Sequence, residues 1–107
     1  MSLYRREFPD YDDMLRVPDG FKDASYHNDV CPHVERVFTN GETEIRHCIW
    51  QDYVDPDRRE WSNTKRFILL IEVNNDVVFD YATDTWSEIE NLIPHLTIMR
   101  FNGWREE

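Results

Sequence analysis

The sequence predicts an α+β fold: an antiparallel meander sheet of four or five strands, one helix from the C-terminal half packed on it, and an N-terminal arm or short helix. Three observations carry this. Asn40-Gly41 lies between two strand-like runs, the apolar run Phe67–Ile71 is followed after a short gap by Val77-Val78-Phe79, and an amphipathic stretch begins at Thr85. At 107 residues the chain supports one hydrophobic core, so 1–107 reads as a single small domain. Its 40% hydrophobic and 14% aromatic content can offset chain entropy, which argues against disorder.

Residues 1–24 are polar and aromatic and are interrupted by Pro9, Pro18 and Gly20, so they read as an arm with room for a short helix over Asp10–Val17. Antiparallel strands are expected over 25–81. Asn-Gly favours a type I′ hairpin turn. With Asn40-Gly41 as the two-residue loop, Val37 faces Glu44, Glu35 faces Arg46, His33 faces Cys48 and Cys31 faces Trp50. The Glu35–Arg46 pair of opposite charges favours that register.

Phe67–Ile71 suits a central strand covered on both faces, by the helix on one side and by the arm or a partner on the other. A second hairpin returns through Asn74-Asn75-Asp76. Thr85 and Glu88 stand at the capping-box spacing, and Trp86, Ile89, Leu92 and Ile93 form one apolar stripe before Pro94, predicting a helix over 85–93. Residues 96–107 read as a C-terminal strand or tail, with the strand at Leu96–Phe101.

Charge narrows the function classes. The chain has 22 acidic and 12 basic side chains, a formal net charge of −10. This disfavours direct binding to nucleic acid or anionic membrane, which requires clustered Lys and Arg. No apolar run is long enough to span a bilayer, no leader is evident, and two cysteines make no disulfide scaffold, so a cytoplasmic location is expected. Gly-rich phosphate loops, His-Glu-x-x-His, Cys-x-x-Cys and Gly-x-Ser-x-Gly are absent from the sequence.

Two groups of residues invite a functional reading. His27, Asp29, Cys31 and His33 alternate, so an extended backbone would align them on one face with Cys48 opposite. These ligand types suit zinc, and a Cys–His pair there would make a reactive thiol. The spacing is not that of a zinc knuckle, and buried thiols on a polar sheet face account for the same pattern. Ser25, His27 and Asp29 would stand in a row rather than converge as a triad. Asp52, Asp55 and Asp57 lack the glycine and closing glutamate of a calcium loop and read as an Asp-Pro turn.

The second group is acidic. From Glu72 to Glu90 there are six carboxylates and no Lys or Arg. The hairpin tip and the helix start are expected to gather them at one end of the domain, where they would steer a basic partner. Asp76, Asp80, Asp84, Glu88 and Glu90 are the electrostatic candidates. Trp61, beside Arg58 and Arg59, and Trp86 are the candidate apolar anchors, although the helical stripe favours Trp86 in the core. The leading expectation is a protein-binding inhibitor or immunity-type antagonist of a basic or nucleic-acid-binding partner. The alternatives are a zinc or small catalytic domain using the His/Asp/Cys cluster, or a homodimer.

Overall fold

The computed structural model describes residues 2–61, 63–96 and 105–106. It is an α+β protein. In chain order the elements are α1 (Leu3–Glu7), β1 (Lys22–Asp23), β2 (His33–Asn40), β3 (Thr43–Gln51), a 3-10 turn at Pro56–Arg58, β4 (Phe67–Val73), β5 (Asp76–Thr83), α2 (Trp86–Leu92), a 3-10 turn at Ile93–His95, and β6 (Arg105–Glu106). Five strands form an antiparallel meander in the order β1-β2-β3-β4-β5, and β6 adds to β2. Among the described residues no helix is long and apolar enough to cross a membrane.

Alternation along the strands gives the sheet two unlike faces. Val34, Ile49, Phe67 and Leu69 point to one side, where they form the core with Leu15 and Phe21 from the arm and Ile89 from α2. Trp86, Leu92 and Ile93 pack on the same cluster, so the predicted apolar stripe of the helix is its buried stripe. The Trp86 ring meets Phe67 edge-on at 5.3 Å. Thr85 is the N-cap but makes no side-chain capping bond; the Thr83 hydroxyl accepts from the Thr85 amide at 3.1 Å instead.

Four expectations are corrected. The β2–β3 turn lies one residue later, with Asn40 still paired to Thr43. Gly41 has φ +61° and Glu42 is not in the positive-φ region, the pattern of a type II′ turn with Gly first. His33 therefore faces Trp50, Glu35 faces Cys48 and Val37 faces Arg46. The Glu35–Arg46 ion pair still forms, at 3.4 Å, as a diagonal contact. The type I′ pattern falls instead at Asn74 and Asn75, both at positive φ between β4 and β5.

The arm's helix is Leu3–Glu7 and not Asp10–Val17. The latter segment has no regular structure and is tied down by a side chain: Gln51 Nε2 donates to the Arg16 carbonyl at 2.7 Å, and its Oε1 accepts from the Arg16 amide at 2.9 Å. The segment 24–32 is turns and bends rather than strand. The arm joins the helix on the core face, so it does not cover the second face of β4. The strand expected at Leu96–Phe101 lies outside the described residues, apart from Leu96.

Candidate functional site

The face opposite the helix carries a groove of about 540 Å³. Its floor is Trp50 of β3 with Ile68 and Leu70 of β4, paired in register as Trp50–Ile68 and flanked by Leu70–Asp80. One wall is Val30 and Cys31; the other is Glu60, Trp61 and Lys65. Asp29, Asp52, Glu60 and Asp80 place carboxylates around it. Its volume lies within the range of roughly 300–1,000 Å³ typical of ligand pockets.

The long loop before β4 is fixed from within. Arg59 donates to three carbonyls, those of Tyr53 at 2.8 Å, Thr64 at 2.8 Å and Val54 at 3.2 Å. Asp12 accepts from the amides of Val54 and Asp55, and Asp55 accepts from the Asp57 amide. The Asp-Pro segment is thus a turn, as its composition implies. Trp61 projects from this braced loop and is 63% exposed. An indole held out in water beside these anchored residues offers apolar contact area to a partner.

Arg66 anchors the loop's end by donating to Asp13 at 2.6 Å and to the Asp52 carbonyl at 3.1 Å. Burial tends to raise the Asp13 pKa, but hydrogen bonds from Arg66, the Met14 amide and Arg16 bring it down to about 2. Asp52 shifts the other way, since burial raises it more than the nearby amide and arginines lower it.

The acidic candidates separate into two sets. Asp76 and Asp84 flank β5 at opposite ends, so the carboxylates run along one strand instead of gathering at one end of the domain. Asp84 is countered: it accepts from the Arg66 amide at 2.9 Å and lies 3.5 Å from the Lys65 ammonium. Glu88 accepts from the hydroxyls of Tyr81 and Thr83, which hold its pKa low and tie α2 to β5. Asp76 and Glu90 are exposed, and Asp80 stands at the groove. Of the partner-binding candidates, the structure brings Trp61 and Asp80 to one site.

The His/Cys candidates do not converge. His27 is exposed and paired with Glu7 at 3.0 Å. His33 stacks on Trp50 at 4.1 Å between ring centroids, with its Nε2 3.3 Å from Glu35 and its Nδ1 3.9 Å from Asp29. Cys31 is buried beside the groove, and the Cys48 thiol donates to Glu72 at 3.5 Å. Among the described residues, no group of three or more His, Cys, Asp or Glu is placed to hold a metal ion. The reason is local: 27–32 turns instead of extending, and the hairpin register puts Cys48 opposite Glu35. Burial raises the pKa of both thiols, with Asp52 adding to the effect at Cys31 and Glu72 at Cys48. That is opposite to what a reactive thiolate needs.

The sequence reading places Ile68 and Leu70 in a central strand with an arm, a partner or a second copy on its other face, but does not join them with Trp50 in one groove. The available signal was the unbroken apolar run at Phe67–Ile71, whose even-numbered residues must lie on the face away from the helix. No protein-family model, curated protein or solved structure matches this chain.

Proposed function

We propose that this protein is an acidic binding module that covers a basic patch on a protein partner, with the groove over β3 and β4 as its contact site. The carrying observation is the pairing of an exposed, braced Trp61 with the floor of Trp50, Ile68 and Leu70, ringed by Asp29, Asp52, Glu60 and Asp80. An aromatic anchor with a carboxylate rim complements a Lys- or Arg-bearing surface that has an apolar centre. Lys65 and Arg66 also line the groove but are engaged with Asp84 and Asp13. The net charge of −10 would speed encounter with such a partner. Covering a basic active or nucleic-acid-binding surface would make the module an inhibitor or immunity-type antagonist.

Affinity capture from cognate lysate at low and high salt tests the reading, using the wild type beside a Trp61→Ala/Asp80→Asn variant. The expected result is a stoichiometric basic protein that wild type retains, that salt releases and that the variant loses. A blank at both salts, or capture indifferent to the two substitutions, removes the proposal.

A further inference from the structure

The two long margins of the sheet are finished differently. The outer edge of β2 takes β1 at Val34–Glu35 and β6 at Phe38–Thr39. Among the described residues, the outer edge of β5 takes no strand. An uncovered edge presents unpaired N–H and C=O groups, and proteins usually blunt one with lysine, proline, a short strand or a bulge. β5 has eight residues, Asp76–Thr83, with neither Lys nor Pro. Its bulge, at the register shift opposite Ile71/Glu72, leaves Phe79–Thr83 in regular pairing with Phe67–Ile71. Val77, Val78 and Phe79 are 55%, 61% and 40% exposed.

Resting on the proposed function, we infer that the partner's basic segment binds by strand addition, extended along β5 over Phe79–Thr83 with a Lys or Arg facing Asp80 and an apolar side chain facing Phe79. Charge selects this occupant. A second copy paired to β5 about Asp80 would set aspartate against aspartate, and two chains of net charge −10 repel. A basic strand over Phe79–Thr83 meets Asp80, and the sequence from Glu72 to Glu90 holds no Lys or Arg to compete. Asp80 also lines the groove, so a strand added at this edge would bring the side chains that face Asp80 beside the groove that Trp61 walls. Backbone pairing would supply affinity, and the alternating side chains would supply selectivity.

The probe is an end-capped octapeptide of alternating Lys and Val. It is compared with a Glu-Val counterpart and with two N-methylated forms, each blocking one alternate set of amides. Amide exchange on the full chain reads the contact. Bound Lys-Val peptide is expected to slow exchange within 79–83 by about tenfold or more. One N-methylated form should lose about tenfold in affinity while the other binds like the parent, the signature of one-sided strand pairing. Asp80→Asn should slow low-salt association several-fold, by roughly the margin that a removed steering charge gives.

Equal binding by both N-methylated forms overturns strand addition, as does failure of the peptide to bind. Perturbation of Trp61 without protection at 79–83 overturns it too, while leaving the groove reading intact. Protection that rises with protein concentration and no peptide assigns the edge to a second copy and also overturns it. Protection at 79–83 that survives Trp61→Ala supports strand addition even if the groove reading fails.

Discussion

The two faces of the sheet solve different problems with similar residues. Each holds a buried histidine. On the helix face, His47 is fully buried and accepts from Arg36 Nε at 3.0 Å, while the Arg36 guanidinium lies 4.4 Å from the centre of the Phe21 ring. On the groove face, His33 is stacked on Trp50 beside Glu35 and Asp29. The first sets a neutral histidine beside a guanidinium and closes over; the second sets its histidine beside carboxylates and stays open. The difference shows which face the fold needs for stability and which it leaves for contact.

Truncation should separate the faces most sharply. Ile89→Ala and Leu69→Ala, both at fully buried helix-face positions, are expected to cost about 3 kcal/mol each. Leu70→Ala on the partly exposed groove floor should cost about 1 kcal/mol, because less area leaves water and no closed cavity forms. Denaturant melts of the three variants check this, and equal losses would break the comparison.

Acid should test the helix face next. Burial, and then Arg36, lower the His47 pKa to about 4 from an ordinary 6.5. Below pH 6.5 the unfolded chain binds a proton that the folded one refuses, so this contribution is whole above pH 6.5 and is lost as pH falls to about 4. The loss is of the order of 2–3 kcal/mol. His47→Gln should flatten stability across that window, as read by melts at stepped pH; an unchanged slope would place the titration elsewhere.

Much of the fold was legible because its signals were local. The spacing of Trp86, Ile89, Leu92 and Ile93 makes one stripe whatever surrounds it, and both meander hairpins were marked by turn residues. The register of the first was not, because Asn40-Gly41 satisfies either a type I′ turn at those residues or a type II′ turn opening at Gly41. The Glu35–Arg46 ion pair fits both, directly across in one and diagonal in the other. The groove was less legible still. Which face the arm would take depends on Gln51 and Arg66 holding Arg16 and Asp13 across 35 and 53 positions, and no window of sequence shows such a bond.

Two smaller effects sharpen the comparison at the loop and the groove. Arg66→Gln should cost about 1–2 kcal/mol at neutral pH by removing a charged hydrogen bond to Asp13. Because Asp13 titrates lower in the folded state, the contribution of the pair stands above pH 3.8 and is lost as pH falls toward about 2, so the gap between wild type and variant should narrow there. Finally, Cys31 and Cys48 adjoin the open face yet are buried, with thiol pKa values raised. Labelling by a thiol reagent at pH 8 should run at least about tenfold slower than in denaturant. Fast labelling of native protein would mean that the groove face opens as far as its backbone.

The Gln51 amide that grips both backbone groups of Arg16 sets an order of events on the ribosome. The arm is synthesised before its clasp. Residues 2–21 emerge with little to hold them until Gln51 and then Arg66 follow, an interval of roughly 3–10 s for the 50 residues from Arg16 to Arg66 at ~5–20 residues per second. During that time Tyr4, Leu15 and Phe21 lack their later neighbours, and a nascent-chain chaperone would find its apolar target at this end of the chain. The arm is made well before the residues that fix it.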